Sequence, residues 1–380
     1  MPIQISVPRE SRAEEQRVAL VPDIARKLHA MGVDIRIQTG AGELAGFSDE
    51  DYVDASATIF DDEQSLLADA DIVVAVNPLT QERLSALKEK AIVVGYLNPY
   101  GDFSRFKLYE SQKLSAFSME LIPRISRAQS MDALSSQSSI AGYKSVLLAS
   151  SLSGKFFPML TTAAGTVRPS KVLIIGAGVA GLQAIATARR LGAIVEGYDV
   201  RAAAKDQVES LGAKFVDIDI KAEGSGGYAR ELTDTERELQ QAILARHIAS
   251  ADIVISTAAI PGRRSPVIIS TAMVEGMKGG SVIVDLAAEG GGNCELTIAG
   301  QTIIHSRVKI VGPINISSTV PNHASELYAR NLFNLLTLLI KDEAIHINLD
   351  DQIIDESLVC HDGEVRNSQL QKNLKNNGND

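Results

Sequence analysis

The chain has 380 residues, of which 45 % are apolar, with a net charge of −10 and no tryptophan. That length predicts two domains with a core each, and an acidic balance without any basic block excludes nucleic-acid binding from the expected functions. Cys294 and Cys360 stand far apart, which argues against a disulfide framework or a zinc site, and no run of about 18 apolar residues is present to span a bilayer. The opening MPIQISVPRE lacks the apolar core of a signal peptide, so the sequence reads as a soluble protein of a reducing compartment.

In chain order, Ile3 to Val7 predicts a strand, Pro22 to about Met31 a helix and Val33 to Gln38 a second strand. The pattern repeats with a strand at Asp71 to Val76, a helix at Thr80 to Leu87, a strand at Ile92 to Gly95, a helix near Phe103 to Gln112 and a strand at Leu114 to Ser118. Alternation of this kind implies a parallel α/β domain. It has no glycine fingerprint, so it is not expected to bind dinucleotide phosphates.

Pro123 to Ser139, PRISRAQSMDALSSQSS, is polar and follows neither a helical nor a strand period. Arg124, Arg127, Gln129, Asp132, Ser135 and Gln137 are crowded into it. Two readings stand: a solvated linker, or a loop bordering a ligand site where two domains meet. Ile140 to about Leu152 then predicts a helix into the second domain.

Lys171 to Asp199 carries the strongest signal. Val172 to Ile175 is an apolar run suited to a buried parallel strand. Gly176, Ala177, Gly178, Val179, Ala180 and Gly181 follow as G-x-G-x-x-G and open a helix to about Leu191, which Gly192 stops. In a dinucleotide fold the first glycine makes the turn, the second lets a pyrophosphate approach the backbone, and the third lets helix and strand pack closely. The helix N-terminus faces the pyrophosphate. Ile194 to Tyr198 is the next strand, ending at Asp199, where an acid holds ribose hydroxyls; Asp199 predicts NAD(H) over NADP(H) because it would repel a 2′-phosphate. Val200 and Arg201 follow; Arg201 is a counter-signal to that selectivity, but two residues along the chain need not share a site.

A strand is expected at Ala213 to Asp217. The charged stretch Lys221 to Gln241 holds Gly224-Ser225-Gly226-Gly227-Tyr228, read either as a mobile loop with an aromatic tip or as a surface excursion. Further expectations are a helix at Thr235 to Ala249, strands at Ile253 to Ser256, Ser281 to Asp285 and Val308 to Val311, a short helix at Met273 to Met277, and a glycine-rich loop, Ala287 to Asn293, at a strand's C-terminal end. Pro321 to about Lys341 predicts one long helix, capped by Asn322 or Ser325, with an apolar stripe of Leu327, Phe333, Leu336 and Ile340. The tail from about Val365 has the composition of a disordered segment. The expected architecture is α/β: two Rossmann-like parallel-sheet domains separated by a cleft, residues 1–139 with 322–365 and residues 140–321, the long helix returning to the first domain and 366–380 forming the tail.

With the glycine fingerprint and the Arg124 segment both in view, nearly the whole chain resembles the NAD(H)-binding component, domain I, of the proton-translocating NAD(P) transhydrogenases, a family related to alanine dehydrogenase. Glu15-Gln16-Arg17-Val18-Ala19-Leu20, Gly40-Ala41-Gly42 and Gly46-Phe47-Ser48-Asp49 are shared by both families, and Pro123 to Ser139 is particular to the transhydrogenases. The resemblance implies that Arg124, Gln129, Asp132 and Ser135 surround the nicotinamide ring and its ribose, that Gly176 to Gly181 and Asp199 hold the pyrophosphate and adenosine ribose, and that the Tyr228 loop closes over the nucleotide. It implies a homodimer, a separate NADP(H)-binding subunit and a membrane proton-channel subunit. The chain stops before any transmembrane stretch, so it resembles the form with separate soluble and membrane subunits, peripherally attached to the cytoplasmic or matrix-like side of the inner membrane.

Two other readings share the fold. An alanine-type dehydrogenase needs a cation for the substrate carboxylate and a proton-transfer group. Arg17 could be the cation but reads here as a structural ion-pair former, and the lysine and histidine of the alanine dehydrogenases are matched by Asn77 and Asn98, which exchange no protons near neutrality. His323 reads as part of a helix start and His305 as a sheet-edge residue. A non-catalytic NAD-sensing module would need the fingerprint but not the crowded Arg124 to Ser135 segment.

Overall fold

The computed structural model describes residues 2–101, 104–218, 233–259, 264–367 and 370–371. Two compact units are present, residues 1–137 with 318–380, and residues 138–317.

The first unit begins with β1 (Gln4–Val7), α1 (Pro22–His29), β2 (Asp34–Gln38), α2 (Asp49–Asp54), β3 (Thr58–Phe60), α3 (Glu63–Ala68), β4 (Ile72–Val74), α4 (Gln81–Ser85), β5 (Ile92–Gly95), α5 (Phe106–Ser111) and β6 (Ser115–Ser118). β4 and β5 are buried along their whole length, as strands covered on both faces must be. The sequence pattern does not announce α2, β3 and α3. They are too short to show a period, and their only local marks are the caps: a Ser48–Asp51 capping box before α2 and Asp62, which accepts from the Ser65 amide, before α3.

The polar stretch after β6 is not irregular throughout. Ser126–Met131 is a 3₁₀ turn, and α6 (Ala133–Leu152) starts at Ala133 rather than Ile140. α6 hides its helical character because its serines, glycine and alanines leave no single apolar stripe. Its small residues serve close packing: a Cβ on Gly142 would overlap the carbonyl oxygen of Ala180.

The second unit carries an exposed hairpin, β7 (Leu160–Thr162) and β8 (Gly165–Val167), and then β9 (Lys171–Ile175), α7 (Val179–Arg190), β10 (Ile194–Tyr198), α8 (Ala204–Ser210), β11 (Lys214–Phe215), α9 (Asp234–Ser250), β12 (Ile253–Ser256), α10 (Thr271–Glu275), β13 (Val282–Asp285), β14 (Thr302–His305) and β15 (Val308–Val311). The sheet order is β11-β10-β9-β12-β13-β15-β14, parallel except for β14. Val172 and Ile174 enter one core while Leu173 and Ile175 enter another, so β9 is covered on both faces. The strand order reverses between β9 and β12, the switch point at which doubly wound sheets bind ligands.

The chain then returns to the first unit with α11 (Pro321–Leu339), β16 (Ile340–Lys341), β17 (Ala344–Ile345), α12 (Gln352–Ser357), β18 (Leu358–His361) and β19 (Glu364–Val365). The first sheet has the order β19-β18-β6-β5-β4-β1-β2-β3; β1 to β6 are parallel in Rossmann order, with an antiparallel hairpin added at one edge. Neither Asn322 nor Ser325 caps α11, contrary to the sequence reading. Its N-cap is Val320, with Pro321 supplying the helical φ. Asn322 instead donates to the Ala45 carbonyl at 3.0 Å, and Ser325 Oγ accepts from the Val18 amide at 3.0 Å. Of the expected stripe, Leu336 and Ile340 are buried but Leu327 and Phe333 only half-buried; Tyr328, Leu332, Leu335 and Leu339 complete the buried face, in the core with Ile5, Ile35 and Ile37. Of the stretch assigned to a tail, Leu370 is fully buried and the Arg366 amide bonds to the Val359 carbonyl, whereas 372–380 lie outside the described residues.

Candidate functional site

In the second unit each glycine of the turn after β9 has its own reason. Gly176 sits at φ +93°, and a Cβ there would lie 2.6 Å from Thr257 Oγ1, at the end of β12. Gly181 is pressed on the Gly176 carbonyl oxygen so closely that a Cβ would overlap it. Gly178 differs: its φ of −79° suits any residue, and a Cβ would meet nothing within 4 Å. Its missing side chain leaves room on the open side of the turn. Gly178 is the N-cap of α7 and offers no side-chain acceptor, so the first-turn N–H groups of α7 point outward without a cap. Ala177 is buried, and Val179 is exposed beside that open face. Room, free donors and the positive end of a helix dipole are the features that a phosphate cradle requires.

Asp199, at the end of β10, fastens this turn. Its Oδ2 accepts from the Ala177 amide at 2.7 Å and from Arg201 Nη2 at 2.8 Å, and its Oδ1 accepts from the Arg201 amide and Nε, both at 2.9 Å. Burial would raise its pKa, but the Arg201 side chain and the two amides outweigh burial and hold it below the ordinary carboxylate value. Arg201 therefore does share the Asp199 site, a point that the sequence offset left open. Val200 between them packs against the core. Tyr228 and its loop lie outside the described residues.

The other strand ends are held by two buried polar residues that sequence reasoning misses. Asn293, with no exposed surface, accepts from Ser256 Oγ at 2.6 Å and the Ala258 amide at 3.0 Å, and donates to the carbonyls of Ala258 and Pro266 at 2.7 and 2.8 Å. Asp285 accepts from the amides of Ala287, Asn293 and Cys294 and from Thr297 Oγ1. The glycine-rich loop Ala287 to Asn293 thus carries its own lock; Asn293 at its end is the only hint of it in the sequence.

In the first unit, Arg124 and Gln129 are exposed on the segment before α6. Asp132 and Ser135 meet: Asp132 accepts from the Ser135 amide at 2.9 Å and from Ser135 Oγ at 2.6 Å, the bonding pattern of a helix N-cap. Asn331 and Asn334 of α11 both donate to the Ser130 carbonyl, at 2.8 and 3.0 Å, and Ser136 Oγ donates to Asn331 at 2.7 Å. Arg127 forks onto Asp351 at the surface.

Beneath that segment lies a buried charged cluster. Arg17 donates to both oxygens of Glu15 at 2.7 Å, and to Gln137 Oε1 at 2.9 Å; Gln137 Nε2 in turn reaches the Ala324 carbonyl at 3.1 Å. Asn77 Nδ2 donates to Glu10 and Glu15, each at 2.9 Å. Burial acts on both acids, but Arg17 and Asn77 bring the Glu15 pKa down to about 2, whereas burial prevails at Glu10 and raises its pKa. Asn77 thus bridges two carboxylates, and Arg17 ties Gln137 of α6 to the ion pair, as the structural reading of Arg17 expected. Asn98, at φ +48°, is exposed, and its amide bonds to Glu120. His323 is exposed in the first turn of α11, and His305 pairs with Glu275 on the edge strand β14. Among the described residues no cluster of His, Cys, Asp or Glu could hold a metal ion, and no helix is long and apolar enough to cross a membrane.

Two family models cover almost all of this architecture: alanine dehydrogenase/PNT, N-terminal domain, over residues 6–141, and alanine dehydrogenase/PNT, C-terminal domain, over residues 145–368. The chain belongs to the alanine dehydrogenase/PNT family. Among relatives in this family, the first part of NAD(P) transhydrogenase subunit alpha from Rhodospirillum rubrum is 44 % identical over 374 residues, covering 96 % of this chain and 97 % of that one. NAD(P) transhydrogenase subunit alpha of Haemophilus influenzae is 42 % identical, covering 95 % of this chain and 71 % of the longer relative. A solved transhydrogenase from Sinorhizobium meliloti superposes with a TM-score of 0.88 at 40 % identity, covering 95 % of this chain and 99 % of that one. An L-alanine dehydrogenase structure gives 0.83 at 25 % identity, covering 98 % and 99 %. The α/β architecture expected from the sequence is that of the family.

Proposed function

We propose that the chain is the NAD(H)-binding subunit of a proton-translocating transhydrogenase. It would act as a homodimer that exchanges hydride with NADP(H) on a partner subunit, and a membrane subunit, which also holds the assembly at the inner membrane, would couple that exchange to proton movement. The observation that carries the reading is the turn from Gly176 to Gly181, with its open side and uncapped helix, in a chain of the family whose relatives at 42–44 % identity are named NAD(P) transhydrogenase subunit alpha.

The residues present fit NAD(H). The turn amides and the start of α7 take the pyrophosphate, and Asp199 takes the adenosine ribose hydroxyls. Arg124, Gln129, Asp132 and Ser135 orient the nicotinamide end, and Tyr228, outside the described residues, would close over the nucleotide. The bound nucleotide supplies the hydride chemistry. Direct transfer between two nicotinamide rings needs no general acid or base, so the chain's task is to orient one ring and exclude water. The Asp132–Ser135 contact suits that task, because a side chain fixed to a helix start holds its position. Mixing the chain with an NADP(H)-binding transhydrogenase subunit and following hydride transfer to an NAD analogue tests the reading; no transfer by two folded partners would refute it.

The likeness to L-alanine dehydrogenase supports a second reading, oxidation of an amino acid. Asn77 and Asn98 oppose it: the first is committed to Glu10 and Glu15, and neither moves a proton near pH 7. NADH formed from alanine and NAD by the chain alone would restore that reading.

A further inference from the structure

An ionised carboxylate accepts about four hydrogen bonds, and Asp199 already has four donors from its own chain. Two of them, the amides of Ala177 and Arg201, belong to the turn and to the end of β10 and cannot leave while the turn stands. The other two, Nε and Nη2, belong to the single Arg201 side chain, so one rotation would withdraw both together. Exposure shows which group faces outward: the Asp199 side chain is 7 % exposed and that of Arg201 25 %. A ribose approaching Asp199 from solvent therefore meets the guanidinium first. A planar fork that satisfies both carboxylate oxygens is a stronger competitor than a lysine ammonium.

We propose that Arg201 is a displaceable latch on Asp199, holding in the free protein the acceptor positions that the adenosine ribose hydroxyls require. This rests on the NAD(H) reading above and adds a control on affinity. Binding must break the Arg201 fork before Asp199 can accept from the ribose, and release restores the fork. The internal partner thus weakens retention of the adenosine end, lets a spent nucleotide leave quickly, and keeps the empty site free of an unpaired buried charge. Selection against a 2′-phosphate also acquires two components, since the acid repels the phosphate only when the adjacent guanidinium does not answer it.

The test is calorimetry on the full chain and on its Arg201→Gln and Arg201→Lys variants, titrated with NADH, with ADP-ribose and with reduced nicotinamide mononucleotide, which lacks the adenosine. The expected result is that Arg201→Gln binds NADH and ADP-ribose about tenfold more tightly, from the loss of a charge-assisted bond that binding no longer has to break, with Arg201→Lys in between and the mononucleotide unchanged. Unchanged or weaker ADP-ribose binding in the variants overturns the latch, because Arg201 would then be neutral or itself a nucleotide contact. Equal tightening of the mononucleotide overturns it too, as a general effect. If Arg201→Gln does not fold, judged by circular dichroism, the lysine variant decides alone by the same criterion. An unmodified chain that binds neither NADH nor ADP-ribose removes the NAD(H) reading and the latch together.

Discussion

The turn from Gly176 to Gly181 and the segment from Arg124 to Gln137 both carry the sequence marks of a ligand site, yet they are built on opposite terms. In the turn, groups are left unmade: α7 has no side-chain cap and Gly178 faces open space, whereas Asp199 is saturated. In the segment, most polar groups are already used within the first unit. Asp132 and Ser135 satisfy each other, Ser130 and Ser136 are held by α11, and Gln137 is held by Arg17. The difference teaches how to weigh a polar residue: one with no structural partner points to a ligand directly, while one with a complete set of partners has a structural role that must be subtracted first. Gln129, exposed on the 3₁₀ turn, is the segment's clearest candidate by that measure.

The comparison breaks most visibly at Arg17. Arg17→Met leaves Glu15 buried without its counter-ion, at an expected cost of about 3–5 kcal/mol in urea unfolding near pH 7. In the unmodified chain Glu15 is depressed to about 2, so its contribution is present above the unfolded value, near 4.5, and disappears as pH falls through about 2. In the variant, burial is no longer outweighed by Arg17, so acidification from pH 7 toward 5 should stabilise the protein. A variant as stable as the unmodified chain at pH 7 would show that the cluster is not a brace.

The turn itself is sharpened by two substitutions that look alike in sequence. Gly181→Ala forces a Cβ on the Gly176 carbonyl and should cost about 2–3 kcal/mol of stability, the upper part of the range for overpacking. Gly178→Ala meets nothing and should leave the unfolding midpoint unchanged; on the proposed function it should weaken NADH binding, because its methyl enters the open side of the turn where the pyrophosphate is proposed to sit. Equal stability losses in both would show that the open side of the turn is not open in solution.

The smallest effects belong to the segment. Asp132→Ala loses a cap and should cost about 1 kcal/mol of stability, whereas Gln129→Ala should cost none. Both should weaken NADH binding by less than about tenfold, the scale of one ordinary hydrogen bond, and both should slow single-turnover transfer to the NADP(H) subunit by far more, because a misplacement of about 1 Å can lower a rate on the order of 100-fold. Unaltered transfer at saturating NADH in both variants would reduce the segment to a linker.

The second unit is legible in the sequence because buried parallel strands are continuous apolar runs and because three glycines at that spacing, between a strand and a helix, mark the tight turn of a dinucleotide fold. The Arg201 fork is not legible, since side-chain direction after a strand end is set by the turn rather than by sequence offset. α2, β3 and α3 escape because a three-residue strand between six-residue helices shows no period. The first turns of α6 read as a loop because serine is common in loops, and here Asp132 and the packing against α11 override that preference. β18 and β19 are missed because antiparallel strands added at a sheet edge need no crossover helix to announce them.

The first unit is assembled from both ends of the chain. Tyr328, Leu332 and Leu335 of α11 share one core with Ile5, Ile35 and Ile37, while the second unit is a single uninterrupted stretch, 138–317. During synthesis the two therefore have different timetables. The middle of the chain emerges with all of its own core and can condense while translation continues, but the beginning must wait, with its apolar strands unprotected, until α11 has left the ribosome. Contacts of such sequence separation form slowly and leave sticky surface exposed meanwhile. Release of nascent chains stalled after Ser317 should accordingly yield a protease-resistant fragment from the middle and none from the N-terminal third. Resistance of the N-terminal third at that point would mean that the first sheet stands without its returning helix.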